Sequence, residues 1–177
     1  MAKRSTKIRL RLFAILLIII VTGLLLPQKI SMPVEGADKN SYNPNTFWYY
    51  PWGKSVTHKG IDIFAREGTR INSSTPGLVL WTGTNGRGGN AVLILGAKWR
   101  VHYFAHLKDI STSHFSIVNS DSKIGTVGKT GNAATTPAHL HYSIVTLLPY
   151  PWRIDGSKQG WKKMFFLNPL DYSGIRD

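Results

Sequence analysis

Past Pro27, no stretch of ten residues keeps its apolar side chains on a helical repeat. Apolar and β-branched residues come instead in short runs: 60–64, 70–72, 78–82, 90–95, 99–105, 117–118, 123–127 and 139–148. Gly, Pro, Asn and Ser close most of them, the pattern of strands joined by turns. Gly83-Thr84-Asn85-Gly86-Arg87-Gly88-Gly89 has the chemistry of a hairpin loop. The expectation is an antiparallel all-β domain over residues 47–177, with loops gathered at one end. From Pro149 the chain is irregular, and Trp152, Trp161, Phe165 and Phe166 are expected to pack back onto the sheet.

The amino terminus is different in kind. Lys3, Arg4, Lys7, Arg9 and Arg11 precede an apolar run from Phe13 to Leu26, broken only by Thr22 and Gly23. This is a targeting or anchoring segment, residues 1–27, and not part of the fold. With Leu10 and Leu12 counted, it nears the lower limit of about 17 residues for a membrane-spanning helix. No small-x-small cleavage pattern follows, since Glu35-Gly36-Ala37 puts a charge where a small residue is needed. An uncleaved single-pass anchor helix is expected, with the basic end in the cytoplasm and the remainder on the periplasmic or extracytoplasmic side of the cytoplasmic membrane. Residues 28–46, rich in Asn, Ser, Pro and Gly, are expected to be a linker. Phe47-Trp48-Tyr49-Tyr50-Pro51-Trp52-Gly53 opens the domain, as a core plug or as one wall of a groove.

Cysteine is absent, which excludes disulfides, a thiolate metal site and a lipidated cysteine. Any metal must be held by nitrogen and oxygen. The formal charge is +13, and setting aside six basic residues of the first 29 leaves 16 basic against 9 acidic side chains, a net +7. A basic body suits polyanionic surroundings, such as nucleic acid, an anionic wall polymer or a membrane surface. No nucleic-acid-binding motif is present, so no nucleic-acid partner is expected.

The chemistry centres on Pro137-Ala138-His139-Leu140-His141-Tyr142-Ser143-Ile144-Val145. On a strand His139 and His141 share a face, ~7 Å apart. One can bind a metal while the other faces substrate. His58-Lys59-Gly60-Ile61-Asp62 places an imidazole and a carboxylate four residues apart where a loop becomes a strand, with Gly60 permitting an unusual turn. Catalytic zinc takes three protein ligands and one open position. His58, Asp62 and one of His139 and His141 supply such a set, and it would activate water for amide hydrolysis. No Ser or Cys nucleophile motif competes. His102 and His106 can both face one way on a strand but stand ~13 Å apart, so only one belongs at the centre. His106 is nearer a strand end; His102 is expected to be a cross-strand neighbour and His114 a loop residue.

From about His58 to Leu170 the chain resembles the lysostaphin/LytM-type zinc metallopeptidases, which cleave peptide cross-links of bacterial peptidoglycan. The matching segments are His58-Lys59-Gly60-Ile61-Asp62, Gly68-Thr69, Gly77-Leu78-Val79 and Gly89-Asn90-Ala91-Val92-Leu93-Ile94. Tyr103-Phe104-Ala105-His106-Leu107, Ile124-Gly125-Thr126-Val127-Gly128-Lys129-Thr130-Gly131, His139-Leu140-His141 and Asn168-Pro169-Leu170 complete them in order. The resemblance implies one zinc ion held by His58, Asp62 and His141. It implies His106 and His139 as catalytic histidines that do not bind the metal. It also implies a β-sheet core with a loop-bounded groove, and peptidoglycan as partner. Where such enzymes commonly carry Glu after the aromatic residue that follows the paired histidines, this chain has Ser143; that position is not a ligand. No prodomain stands between anchor and domain, so a site that does not block itself is expected. The alternative is a non-catalytic, wall-binding regulator of another hydrolase, a class that typically lacks zinc ligands.

Overall fold

The computed structural model describes residues 2–176. Helix α1 (Ala2–Leu25) is continuous over 24 residues, about 36 Å long. Its segment Lys7–Leu25 is long and apolar enough to cross a membrane, by length and composition. Pro27 lies just beyond its end and cannot continue it.

Nine strands follow among the described residues: β1 (Ile61–Phe64), β2 (Arg70–Asn72), β3 (Gly77–Asn85), β4 (Gly89–Gly96), β5 (Arg100–Ile110), β6 (Ile117–Val118), β7 (Lys123–Val127), β8 (His139–Thr146) and β9 (Phe166–Leu167). A short helix, α2 (Ser173–Arg176), ends the described chain. Every strand pairing is antiparallel. The sheet runs β1-β8-β5-β4-β3-β6, with β7 joining β5 to β2 and β9 joining β8. The expected all-β antiparallel architecture is therefore present. β9 is too short to stand out in sequence, and it is held by pairing Leu167 with Ile144 and Phe166 with Val145.

The period of two explains which face does what. On β8, Leu140, Tyr142 and Ile144 are fully buried in the core, as are Ile61 and Ile63 of β1. The intervening residues, His139, His141, Ser143 and Asp62, therefore occupy the opposite face. One side of this strand pair builds the core, and the other carries the polar chemistry.

Three expectations need correction. Residues 28–46 are not a free linker: Ile30, Val34 and Tyr42 are buried in the core cluster. Val34 bridges to Ile71 and Tyr42 to Ile63, which extends the sheet by single rungs. The packed body thus begins near Gln28 and not at Phe47. Second, Trp152 and Trp161 do not pack on the sheet; they are 77% and 55% exposed. Trp152 stacks on Tyr150 at the surface instead. The packing from this region comes from Leu167 and Leu170. Third, the aromatic stretch 47–53 divides its roles. Trp48 is buried as a plug, while Trp52 lines the groove described next.

Candidate metal centre

β1 and β8 are registered so that Asp62 faces His141 directly. Their side chains meet, with Asp62 Oδ1 2.8 Å from His141 Nδ1. His58, just ahead of β1, brings its Nε2 to 3.1 Å from both Asp62 Oδ1 and His141 Nδ1. Gly60 makes this approach possible by clearance, and its φ is not positive as the expected turn would need. A Cβ there would collide with the Tyr142 carbonyl and lie 3.0 Å from His141 Cε1.

Each imidazole is oriented by its other nitrogen. His58 Nδ1 donates to the Thr46 carbonyl at 3.1 Å, which leaves the Nε2 lone pair for the centre. Trp52 stacks on the same ring at a centroid distance of 4.1 Å, and the backbone of Trp48 and Tyr49 brackets His58 on both sides. His141 Nε2 lies 3.0 Å from Ser143 Oγ, an acceptor that leaves Nδ1 directed at Asp62. Burial raises the Asp62 carboxyl, but the close polar contacts of His141 and His58 outweigh it and hold Asp62 well below the usual carboxylate range. Burial is the main cause lowering His141, and the ring favours its neutral, ligating form.

Could these residues hold an ion? The three donor atoms form a triangle with edges of 3.1, 3.1 and 2.8 Å. Ligand bonds of about 2.0–2.1 Å in a tetrahedral set place donors about 3.3 Å apart. The triangle need open by only a few tenths of an ångström. Two oriented imidazoles and an ionised carboxylate suit zinc better than calcium or magnesium, which prefer all-oxygen cages. Among the described residues, this is the group of His and acidic side chains close enough to share an ion.

His106 and His139 stand beside this cluster. Their rings are 5.0 Å apart, and the His106 ring is 6.1 Å from that of His141. His139 Nδ1 donates to the Pro137 carbonyl at 2.8 Å, and His106 Nδ1 donates to the Thr130 carbonyl at 2.9 Å. In each, Nε2 is left free to act. Burial first, then the charges of His141 and His139, lower the His106 pKa to about 4, so this ring is a neutral base at pH 7.

His106 reaches the site by an irregularity. Asn90 pairs with Leu107 but Val92 pairs with Phe104, so β5 carries one extra residue there. His106 has φ 67° and its N–H bonds to the Gly88 carbonyl at 2.8 Å. This bulge breaks the alternation that would place His106 with His102. The two histidines do not share a face. His102 is fully buried on the core side, with Nδ1 2.7 Å from Tyr142 Oη and 3.2 Å from Ser74 Oγ. His114 is a surface loop residue near Thr82.

A groove runs past these side chains as two contiguous pockets of about 350 and 600 Å³. Trp52, Lys54, Arg87, His106, Asn132 and His141 border both. Tyr103, which reasoning from sequence did not single out, lines the first; its cue was standing two residues before Ala105, the β-partner of His141. Ser143 and Thr130 were also missed as orienting groups. Lys59 lines the same pocket, and burial, then the charge of Lys162, lowers its pKa. No carboxamide bonds to the His58–Asp62–His141 cluster among the described residues.

The L-Ala--D-Glu endopeptidase of Bacillus subtilis is 38% identical over 102 residues, covering 52% of this chain and 31% of that protein. The DD-carboxypeptidase/endopeptidase Mpg of Neisseria meningitidis is 39% identical over 85 residues, covering 48% of this chain and 19% of that protein. The chain thus spans about a fifth to a third of the length of these curated relatives. In fold, it is similar to the catalytic domain of EnpA from Enterococcus faecalis, with TM-score 0.58, 23% identity, and coverage of 82% of this chain and 98% of that one. It is also similar to the LytM structure from Ruminococcus gnavus, with TM-score 0.61, 21% identity, and coverage of 81% and 58%. The profile described as Peptidase family M23 matches residues 56–151, more than half of the chain and the stretch that contains all five clustered site residues, and the chain belongs to that family.

Proposed function

We propose that this chain is a zinc-dependent endopeptidase that hydrolyses stem peptides or cross-links of bacterial peptidoglycan. Residues 1–27 tether it to the cytoplasmic membrane, and the body from residue 28 onwards lies on the extracytoplasmic side. The observation that carries this reading is the convergence of His58, Asp62 and His141 on one point, with the free nitrogens of His106 and His139 turned to the same groove.

A zinc ion held by His58 Nε2, Asp62 Oδ1 and His141 Nδ1 would polarise the scissile carbonyl and lower the pKa of a bound water to about 7. The protein's own groups do the rest. Neutral His106 accepts the water proton at Nε2 and returns it to the departing amine nitrogen. His139 Nε2, on a ring fixed by the Nδ1 bond to the Pro137 carbonyl, accepts a hydrogen bond from the attacking water and orients it. The Thr130 and Pro137 carbonyls fix both rings before substrate arrives, so little reorganisation is needed during reaction. A site with three candidate ligands and two candidate catalysts favours hydrolysis over a purely regulatory, wall-binding role.

The test is mass spectrometry of purified peptidoglycan incubated with the detergent-solubilised full chain and zinc. New amino termini within peptides, absent with His106→Ala, are expected. Intact peptides in both samples, despite stoichiometric zinc, would leave a wall-binding protein in place of an enzyme.

A further inference from the structure

Four cations line one pocket of the groove: Lys54, Lys59, Arg87 and Lys162. They come from three separate parts of the chain, namely the approach to β1, the β3–β4 turn and the 3₁₀ segment Gly160–Met164. None has a carboxylate within 4.0 Å among the described residues, where Glu67 pairs with Lys108, Asp155 with Lys163 and Asp62 with the histidines. Two of them are held by hydrogen bonds. Lys59 Nζ donates to the Ser55 and Thr57 carbonyls at 2.9 and 3.2 Å, and Arg87 donates to the Lys54 carbonyl at 3.4 Å. The charge is also one-sided. The second pocket, lined by Pro51, Gly53, Ala133, Thr136 and His139, shares Lys54 and Arg87 but adds no cation of its own.

Like charges collected in a concave site, without counter-charges from the protein, make a focused positive potential that attracts an anion. A carboxylate there would form charge-assisted hydrogen bonds, about twice as strong as neutral ones.

We propose that the groove selects peptides carrying a free carboxylate on the side of the scissile bond that lies against Lys59 and Lys162, an acidic stem peptide in preference to a neutral glycine-type bridge. The inference rests on the endopeptidase reading above and names its substrate class. Arg87 and Lys54 bridge the two pockets and set the peptide's direction.

The test compares one synthetic stem peptide in two forms, free carboxylate and carboxamide, with the zinc-loaded full chain in detergent. A net gain for a charged hydrogen bond corresponds to about a 10- to 100-fold preference in kcat/KM for the acid form. The preference should shrink as salt is raised. Lys162→Glu should cut the ratio at least about tenfold, and Lys54→Ala serves as a second variant if that one folds poorly. Calorimetric affinity for both peptides is measured alongside on His106→Ala. Equal rates and equal affinities for acid and amide overturn the proposal. Tighter binding of the acid form with no cleavage by the parent chain supports it while overturning the endopeptidase reading.

Discussion

Asp62 Oδ1 and His141 Nδ1 lie 2.8 Å apart because their residues are partners in the β1–β8 ladder. Two of three candidate ligands are thus placed by backbone register before any ion binds. His141→Ala should lose both bound zinc and hydrolysis. Parent protein analysed by plasma mass spectrometry should carry about one zinc, and chelation should lower its melting temperature, by about 2.7 kcal/mol of stabilisation lost if the ion had been present at a hundred times its Kd. Zinc content unchanged in the variant would remove His141 from the ligand set.

His106→Ala separates catalysis from binding. The ring sits beside the donor triangle and contributes none of its three atoms. Zinc should stay near one equivalent while kcat falls by about 10² to 10⁴, the usual worth of a positioned base. Loss of zinc would mean that the roles of His106 and a ligand are exchanged.

Ser143→Ala tests a weaker group. It removes the acceptor for His141 Nε2 at 3.0 Å and leaves the ligand itself in place. Outer partners of metal-bound histidines are worth about 10- to 100-fold in affinity. Competition against a zinc-binding dye should show a shift of that size, with the purified fold unchanged by circular dichroism.

His102 governs acid stability. Burial first, and the Arg100 charge second, lower its pKa to about 3, against an ordinary value of 6.5. Between those values the unfolded chain binds a proton that the folded chain refuses. Stability is therefore full above pH 6.5 and falls as pH drops towards 3, by an amount on the order of a few kcal/mol. Urea unfolding at pH 7 and pH 4.5 should show this loss, and His102→Gln should reduce it. Because His102 faces the core and not the groove, folded His102→Ala should hydrolyse at a near-parental rate.

Removing residues 1–46 should abolish folding, whereas removing residues 1–27 should not. The longer deletion takes away Ile30, Val34 and Tyr42, all buried in the core. At about 1.5–3 kcal/mol for each large apolar side chain, the loss rivals a total stability of about 5–15 kcal/mol. Proteolysis of the two fragments distinguishes the outcomes.

Much of the site is legible in the sequence because its signals are periodic. His139 and His141 share a face by strand alternation, and Asp62 alternates with Ile61 and Ile63. The face taken by His106 is not legible, since counting by twos puts it with buried His102; only the extra residue in β5, with His106 at φ 67°, turns it to the groove. Nor is the role of residues 28–46 legible. Ile30, Val34 and Tyr42 sit singly among polar neighbours and join the core through isolated bridges, which leave no repeat to count. Trp152 and Trp161 misled for the opposite reason, as large aromatic residues that the surface retains.

The absence of slack after α1 bears on reach. Trp99 Nε1 donates to the Ile20 carbonyl and Lys98 Nζ to the Leu24 carbonyl, both at 2.9 Å, and Arg100 grips Gln28. Under the proposed anchoring, the helix acts as a mast and not a leash. The cutting edge would then patrol a thin shell at fixed height above the bilayer, and only wall strands that sag or are newly laid into that shell would come within its grasp.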